Sequence, residues 1–178
     1  MSNGFVIKTD IDGFDFREVT DLLNGFGLSD LDNDKQRLVF ERSYAKVFIL
    51  KDGHVAAVGR ALSDGIAQAS IYNIAVREDL WGKGLGRTVI NELLRQVEGC
   101  NVVLYTHPKH IGLYEHWGFR KLKTSYAHFP NEEHFLAEGF LERMRYNEFK
   151  KNKEDFYATH RDQLLSGKNG RSKAGMRR

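Results

Sequence analysis

The segment from Ile74 to Arg87, IAVREDLWGKGLGR, sets glycines at positions 82, 84 and 86 between a run of β character and a run of helical character. No other stretch constrains the chain as much. Gly82, Gly84 and Gly86 lack a Cβ, so the backbone joining strand to helix can curl tightly and aim several N–H groups at one point. The first N–H groups of the following helix have no intrahelical acceptors and converge on the same point. Such a junction is a cradle for an anion, above all a phosphate.

Two common phosphate loops do not fit these residues. A dinucleotide fingerprint, G-x-G-x-x-G, would place its last glycine at Arg87 counted from Gly82, or at Val89 counted from Gly84. A P-loop requires Ser or Thr after Gly-Lys, whereas Lys83 is followed by Gly84.

The loop instead resembles the acetyl-CoA loop of the GNAT superfamily of N-acetyltransferases, Q/R-x-x-G-x-G/A after a strand ending in Ala-Val. Ala75-Val76 and the glycines Gly84 and Gly86 match, and Trp81 stands where the family carries Gln or Arg. Lys83 and Arg87 offer cationic side chains to a pyrophosphate and a ribose phosphate. Further on, Leu113 to Phe119 reads LYEHWGF and resembles the second signature of that family, a short helix with a tyrosine four residues before a Gly-Phe that opens the next strand. The interval between the motifs holds one helix (Thr88–Val97), a turn at Glu98-Gly99, a strand (Asn101–Tyr105) and a short loop. The run GRALSDG, with the apolar strand and loop after it, also resembles the GNAT subgroup that includes serotonin N-acetyltransferase-like enzymes. That likeness covers roughly Val47 to Phe129 and makes an arylalkylamine the first acceptor to test; where the subgroup often has Asp, this chain has Asn73.

Periodicity and turns supply the rest of the plan. Phe5–Lys8 reads as a strand, Phe16–Leu23 as a helix ending near Gly25, and Asp34–Arg42 as a second helix. Strands follow at Lys46–Leu50 and Val55–Ala61, joined by Asp52-Gly53, a strong hairpin cue. Asp64-Gly65 repeats the device before the strand Ala67–Val76. The fold class is α+β: a GNAT-like mixed, mostly antiparallel sheet flanked by helices, with a C-terminal helical extension. Residues 1–130 form the acetyltransferase domain, and 131–150 a helix packing on that domain or on a second subunit, which would make a homodimer. Along that helix, Glu132–Lys150, one side carries Leu136, Phe140, Leu141, Met144 and Glu148, although Gly139 interrupts it. Residues 151–178 are a charged extension whose end, GKNGRSKAGMRR, has five basic and no acidic residues and reads as a disordered tail.

Composition bounds the partners. With 178 residues and 41% hydrophobic content the chain can build one domain with a real core, and a formal net charge of +3 is too small to demand nucleic acid. Cys100, the single cysteine, cannot pair within the chain, so a reducing cytoplasm is the expected home. No apolar run approaches the roughly 18 residues of a membrane span, and MSNGFVIKTD lacks a charged-then-apolar leader.

Acetyl transfer needs a neutral amine, a polarised thioester and a proton for the departing thiolate. A tyrosine hydroxyl stays protonated at pH 7 yet can donate as the sulfur gains charge, and the resemblance puts Tyr114 at the family's general acid. It also implies that the strand residues Ile74, Ala75 and Val76 pair through their backbone with the amides of pantetheine, a β-augmentation. A backbone N–H near Val76 would then meet the oxyanion. With them, Gly82, Lys83, Gly84, Leu85, Gly86 and Arg87 make up the expected acetyl-CoA site. The general base is not evident: Tyr72 and Asn73 stand where relatives carry a carboxylate, which leaves Asp64, His107 or a water chain. No metal is expected, because His107, His110 and His116 lack a standard zinc spacing and the family reaction needs none. The expected reaction is acetyl-CoA-dependent N-acetylation of a small-molecule amine by direct attack in a ternary complex. A protein or aminoacyl-RNA acceptor, favoured by the basic tail, and a non-catalytic acetyl-CoA-binding module, favoured by the missing carboxylate and Trp81, are the alternatives.

Overall fold

Turn chemistry and one bulge set the geometry of the sheet. A computed structural model describes residues 4–143 together with Lys151, Glu154, Asp155 and Ala158. The chain divides into two compact units, residues 1–121 and 122–178. In the first, strands β1 (Phe5–Lys8), β2 (Ala45–Lys51), β3 (His54–Ser63), β4 (Gln68–Val76) and β5 (Asn101–Val103) lie side by side in chain order. All neighbours are antiparallel except β4 and β5, which are parallel. Asp52 and Gly53 both take positive φ, 53° and 83°, as a two-residue type I′ hairpin requires, and Lys51 pairs directly with His54. At the next turn the Asp64 carboxylate accepts from the amides of Ile66, Ala67 and Gln68 at 2.8, 2.8 and 3.1 Å. That is a side chain standing in for backbone acceptors.

Helices cover both faces of the sheet. On one, α3 (Leu85–Gln96) sets Leu85, Val89, Ile90 and Leu93 against Val47, Ile49, Ala57, Ala61, Ala69 and Ile71. On the other, α1 (Arg17–Gly25) and α2 (Asn33–Glu41) enclose an aromatic core. There the Phe40 ring lies 5.6 Å from Phe16 and 5.4 Å from Phe48. Asp32 starts α2 by accepting the Lys35 amide at 2.9 Å, the usual N-cap bond.

Between β3 and β4 the register shifts. Val58 pairs with Ala75 and Arg60 with Tyr72, so Asn73 and Ile74 together face Gly59 alone. Asn73 adopts φ 55° to make this bulge. Gly59 is the residue that lets α3 come down on the bulge: a Cβ there would stand 2.4 Å from Val89 Cγ1 and 2.5 Å from Ile74 Cδ1. The other edge of β4 is equally distinctive. Its ladder with β5 has only three pairs, Gln68 with Asn101, Ala69 with Val102 and Ser70 with Val103, whereas β4 continues to Val76. Beyond Ser70 the two strands part.

Four expectations from the sequence change. Helix α3 begins at Leu85 rather than Thr88, because Gly84 at φ 78° is its N-terminal boundary; Leu85, Gly86 and Arg87 are thus its first turn. Strand β5 ends at Val103 rather than Tyr105, for want of a partner once β4 has bent away. Gly118-Phe119 opens no strand among the described residues. Residues 121–128 are exposed throughout, so the alternation at Leu122 and Tyr126 buries nothing and no ladder forms. In the second unit, α5 is confined to Glu132–Ala137 instead of reaching Lys150. Gly139, at φ 76°, closes it: the Gly139 amide donates to Leu136 O at 3.2 Å and the Phe140 amide to Phe135 O at 2.9 Å, a Schellman cap. Phe140 and Leu141 therefore leave the helix, and Met144, Glu148 and the basic tail lie outside the described residues.

Gly59→Ala should destabilise the protein by about 1–3 kcal/mol, the usual cost of overpacking. In a chain of this size that lowers the melting temperature by roughly 2–4 °C per kcal/mol. Val89→Ala in the Gly59→Ala background should recover part of the loss, read by thermal denaturation; no recovery would show that the contact with α3 is not what demands glycine.

Candidate active site

The open edge of β4 ends at the glycine loop, and the two form one continuous strip of backbone. Arg77 turns its amide toward β3, donating to Ala56 O at 2.9 Å. By the alternation of an extended strand, the N–H and C=O of Val76 point the other way, toward the gap beside β5. Gly82 and Gly84 both take positive φ, 76° and 78°, and a Cβ on either would meet open space. Among the described residues no acceptor takes the amides of Gly82, Gly84, Leu85, Gly86 or Arg87. Five donors without partners at the start of a three-turn helix fit a pyrophosphate. Gly86 has a different duty, since its Cβ would approach Trp117 Cη2 at 3.2 Å. It lets the helix carrying Tyr114 lie close to α3.

Trp81, at the position where a Gln or Arg was expected, donates from Nε1 to Val76 O at 2.8 Å and stacks on Phe26 at 6.0 Å. It braces the loop against the last residue of the strip. Arg77 is paired with Asp79 at 2.7 Å, while Lys83 and Arg87 form no ion pair among the described residues.

Tyr114 lies on α4 (Ile111–His116) and packs with Ile74, Val76, Trp117 and Phe119 against the α3-side core. Its ring meets Trp117 edge-on at 5.4 Å and Phe119 at 5.8 Å. Burial pushes its hydroxyl above the ordinary tyrosine range, against the opposing effect of a hydrogen bond with the Thr106 side chain. Sequence reading missed Thr106 and gave Trp117 only a local role; the one signal for Thr106 is its place just after the strand that faces Tyr114.

The candidate bases sit apart. Asp64 is in the turn before β4, and the six residue steps from Gln68 to Ile74 span about 20 Å of extended chain. The structure does not bring Asp64 to the open strip, and its three amide bonds hold its carboxyl below the usual range. His107 follows the end of β5, where its Nδ1 accepts the Lys109 amide at 3.2 Å. Its ring lies 6.3 Å from that of His110, whose imidazole is held below its ordinary value by burial and by the nearby Lys109 and His107. Asn73 bridges two elements, accepting from Arg60 Nε at 2.6 Å and donating to Leu28 O at 3.1 Å. Among the described residues no group of three His, Cys, Asp or Glu side chains is arranged to hold a metal. No helix there is long and apolar enough to cross a membrane.

A parted strand pair, an anion cradle at its end and a half-buried tyrosine beside it come together at one edge of the sheet. Comparison with known proteins names the family: the profile of the acetyltransferase (GNAT) family matches residues 16–119, and the chain belongs to that family. It is 28% identical over 123 residues to GCN5-related N-acetyltransferase 1, chloroplastic, of Arabidopsis thaliana. It is also 28% identical over 127 residues to serotonin N-acetyltransferase 2, chloroplastic, of Oryza sativa subsp. japonica. Each match covers 66% of this chain and 62% of the relative, so the likeness spans about three fifths of those proteins. Among solved structures, an acetyltransferase of Deinococcus radiodurans R1 superposes with a TM-score of 0.63 at 21% identity, covering 71% of this chain and 89% of that one. Glucosamine-6-phosphate N-acetyltransferase of Arabidopsis thaliana does so with a TM-score of 0.56 at 17% identity, covering 71% and 99%. These two likenesses establish the fold.

Gly84→Val should abolish acetyl-CoA binding measured by calorimetry. It forces a β-branched residue into the left-handed region and walls off the space above five free amides. An unchanged dissociation constant in a variant that remains folded by circular dichroism would remove the loop from the site.

Proposed function

We propose that this protein transfers the acetyl group of acetyl-CoA to the primary amine of a small molecule by direct attack in a ternary complex. The observation that carries the reading is the unpaired edge of β4 running from Ile71 to Val76 into unpartnered amides at the glycine loop. Acetyl-CoA supplies the activated thioester. The loop amides, with Lys83 and Arg87, hold its phosphates, and the strip Ile74, Ala75 and Val76 offers its outward-facing backbone groups, the Val76 amide among them, to its pantetheine as a neighbouring strand would. The Val76 amide is then the donor for negative charge developing on the carbonyl oxygen, a contribution typically worth about 10²- to 10³-fold in rate. Tyr114 delivers the proton to the departing sulfur. Its raised pKa suits that task, because the hydroxyl stays protonated through the physiological range.

Removal of the amine proton has no dedicated carboxylate at the strip, so we assign it to a water path to which His107 contributes. An arylalkylamine remains the first acceptor class to assay, on the likeness to the rice enzyme. The basic C-terminal residues favour a protein or aminoacyl-RNA acceptor as the second reading; loss of activity on such a macromolecule, but not on small amines, upon removal of residues 151–178 would select it. A reducing compartment such as the cytoplasm is the proposed setting, on the lone Cys100.

Tyr114→Phe should lower kcat by about 10²- to 10⁴-fold with little change in acetyl-CoA affinity, because the ring and its packing stay while the donor goes. In the wild type any loss of rate from Tyr114 ionisation should begin only above about pH 10. Full activity of Tyr114→Phe, with an acceptor whose acetylation limits the rate, would reduce this residue to a packing role.

Asp64→Asn keeps the oxygen that accepts the turn amides and removes only basicity, so it isolates a proton-transfer role. Neither Asp64→Asn nor His107→Ala should cost more than about a thousandfold in kcat/KM, since a shared water path survives both. A larger loss in either, with cofactor binding intact, would identify a single general base.

A further inference from the structure

The face of the sheet beneath α1 and α2 carries a cation that the cofactor reading does not use. Arg60 lies on β3 in register with Tyr72 on β4. Alternation along β3 puts it on the same side as Val58, which belongs to the α1–α2 core, and opposite Gly59, which faces α3. Its guanidinium sits over the Tyr72 ring at 5.0 Å, and the Tyr72 ring meets that of Tyr105 edge-on at 6.0 Å. Tyr105 comes directly after the point where β5 leaves β4, so the two rings span the mouth of the gap. Arg60 Nε donates to Asn73 and Nη1 reaches Ser43 Oγ at 3.4 Å. Nη2 has no partner, and no carboxylate pairs with the guanidinium, among the described residues. Burial holds the Arg60 pKa below its usual value.

A half-buried arginine with no carboxylate beside it among the described residues is a ready partner for an anion. No described residue supplies that anion, and the guanidinium lies beside the gap between β4 and β5, where a bound molecule could supply it. The two tyrosines add aromatic surface beside the charge, which suits an acceptor with a flat or apolar body.

We propose that Arg60, with Tyr72 and Tyr105, is the acceptor-specificity element: the amine accepted here carries a second, anionic group, a carboxylate or a phosphate, that Arg60 binds. This rests on the reading of the protein as a small-amine acetyltransferase and narrows its substrate class. Arg60 also ties the Asn73 bulge, so the test must read discrimination rather than activity alone.

Two matched pairs serve as acceptors, tryptophan against tryptamine and glucosamine 6-phosphate against glucosamine, assayed by thiol release with the full-length protein. The wild type should prefer the anionic member of at least one pair, and the pair that shows the preference tells carboxylate from phosphate. In Arg60→Gln the kcat/KM ratio within that pair should fall about ten- to hundredfold, the usual weight of a charge-assisted hydrogen bond, and Arg60→Lys should restore part of it. A wild-type ratio at or below unity in both pairs, or a ratio unchanged by Arg60→Gln, would overturn the assignment while leaving acetyl transfer intact. If none of the four amines is acetylated, the small-amine reading falls instead. Calorimetric titration of tryptophan and glucosamine 6-phosphate into CoA-saturated protein then decides the role of Arg60: binding lost in Arg60→Gln supports it, and no Arg60-dependent binding refutes it.

Discussion

The bulge at Asn73 and Ile74 against Gly59 is the constraint on which the rest of this structure depends. A parallel strand would ordinarily follow its neighbour to the end, because each unpaired amide left in an interior is costly. The extra residue re-aims β4, and the ladder to β5 stops after Ser70. What would be a defect in a purely structural sheet becomes a row of donors and acceptors waiting for a strand-like ligand. The bulge is itself held from both faces. Val89 and Leu93 of α3 close over Gly59, and Asn73 is clamped between Arg60 and the Leu28 carbonyl on the α1–α2 side. Packing and hydrogen bonding thus oppose relaxation of β4 back toward β5.

The legible parts of this fold were those encoded locally. Asp52-Gly53 gave the hairpin because both residues can take positive φ, and the alternate glycines gave the loop because only glycine tolerates φ near 78° without strain. The short helix of Tyr114 before Gly118-Phe119 was legible too, and it sets Tyr114 against Ile74 and Val76. What was not legible depends on partners far away in sequence. The end of β5 at Val103 reflects where β4 bends, and nothing in Asn101–Tyr105 itself announces it. Asn73 looked like a weak substitute for a carboxylate, whereas its φ of 55° and its two long-range bonds show a structural joint. Gly139 is the opposite case. It was visible as a weakness in a long helical pattern, and its real effect, a complete Schellman cap, required the hydrogen bonds to be seen.

Arg60, the residue proposed to read the acceptor, gives little sign of itself in the sequence. It stands in the stretch AAVGRAL, whose other members are apolar or glycine, and that contrast is the one sequence signal it gives. Periodicity assigns it to a face but not to a role. Only the register with Tyr72 and the approach of Tyr105 from beyond β5 assemble the three side chains into one surface.

The two faces of the gap divide the chemical work by the kind of group that performs it. On the α3 side, the proposed cofactor contacts are backbone amides and the space that glycines leave open, so a side chain there can change wherever φ and volume are respected; Trp81 in place of a Gln or Arg, bracing Val76 O from an exposed position, is such a change. On the α1–α2 side the proposed acceptor contacts are side chains, where one substitution alters charge or ring area directly. A scaffold built this way can keep one donor molecule fixed while its acceptor varies. The constancy lies in strand geometry that many sequences satisfy, and the variation in a few residues that do not determine the fold. Arg60 is the exception that couples the two faces, because the same guanidinium that has no partner at Nη2 among the described residues also secures, through Nε, the bulge that opens the strip.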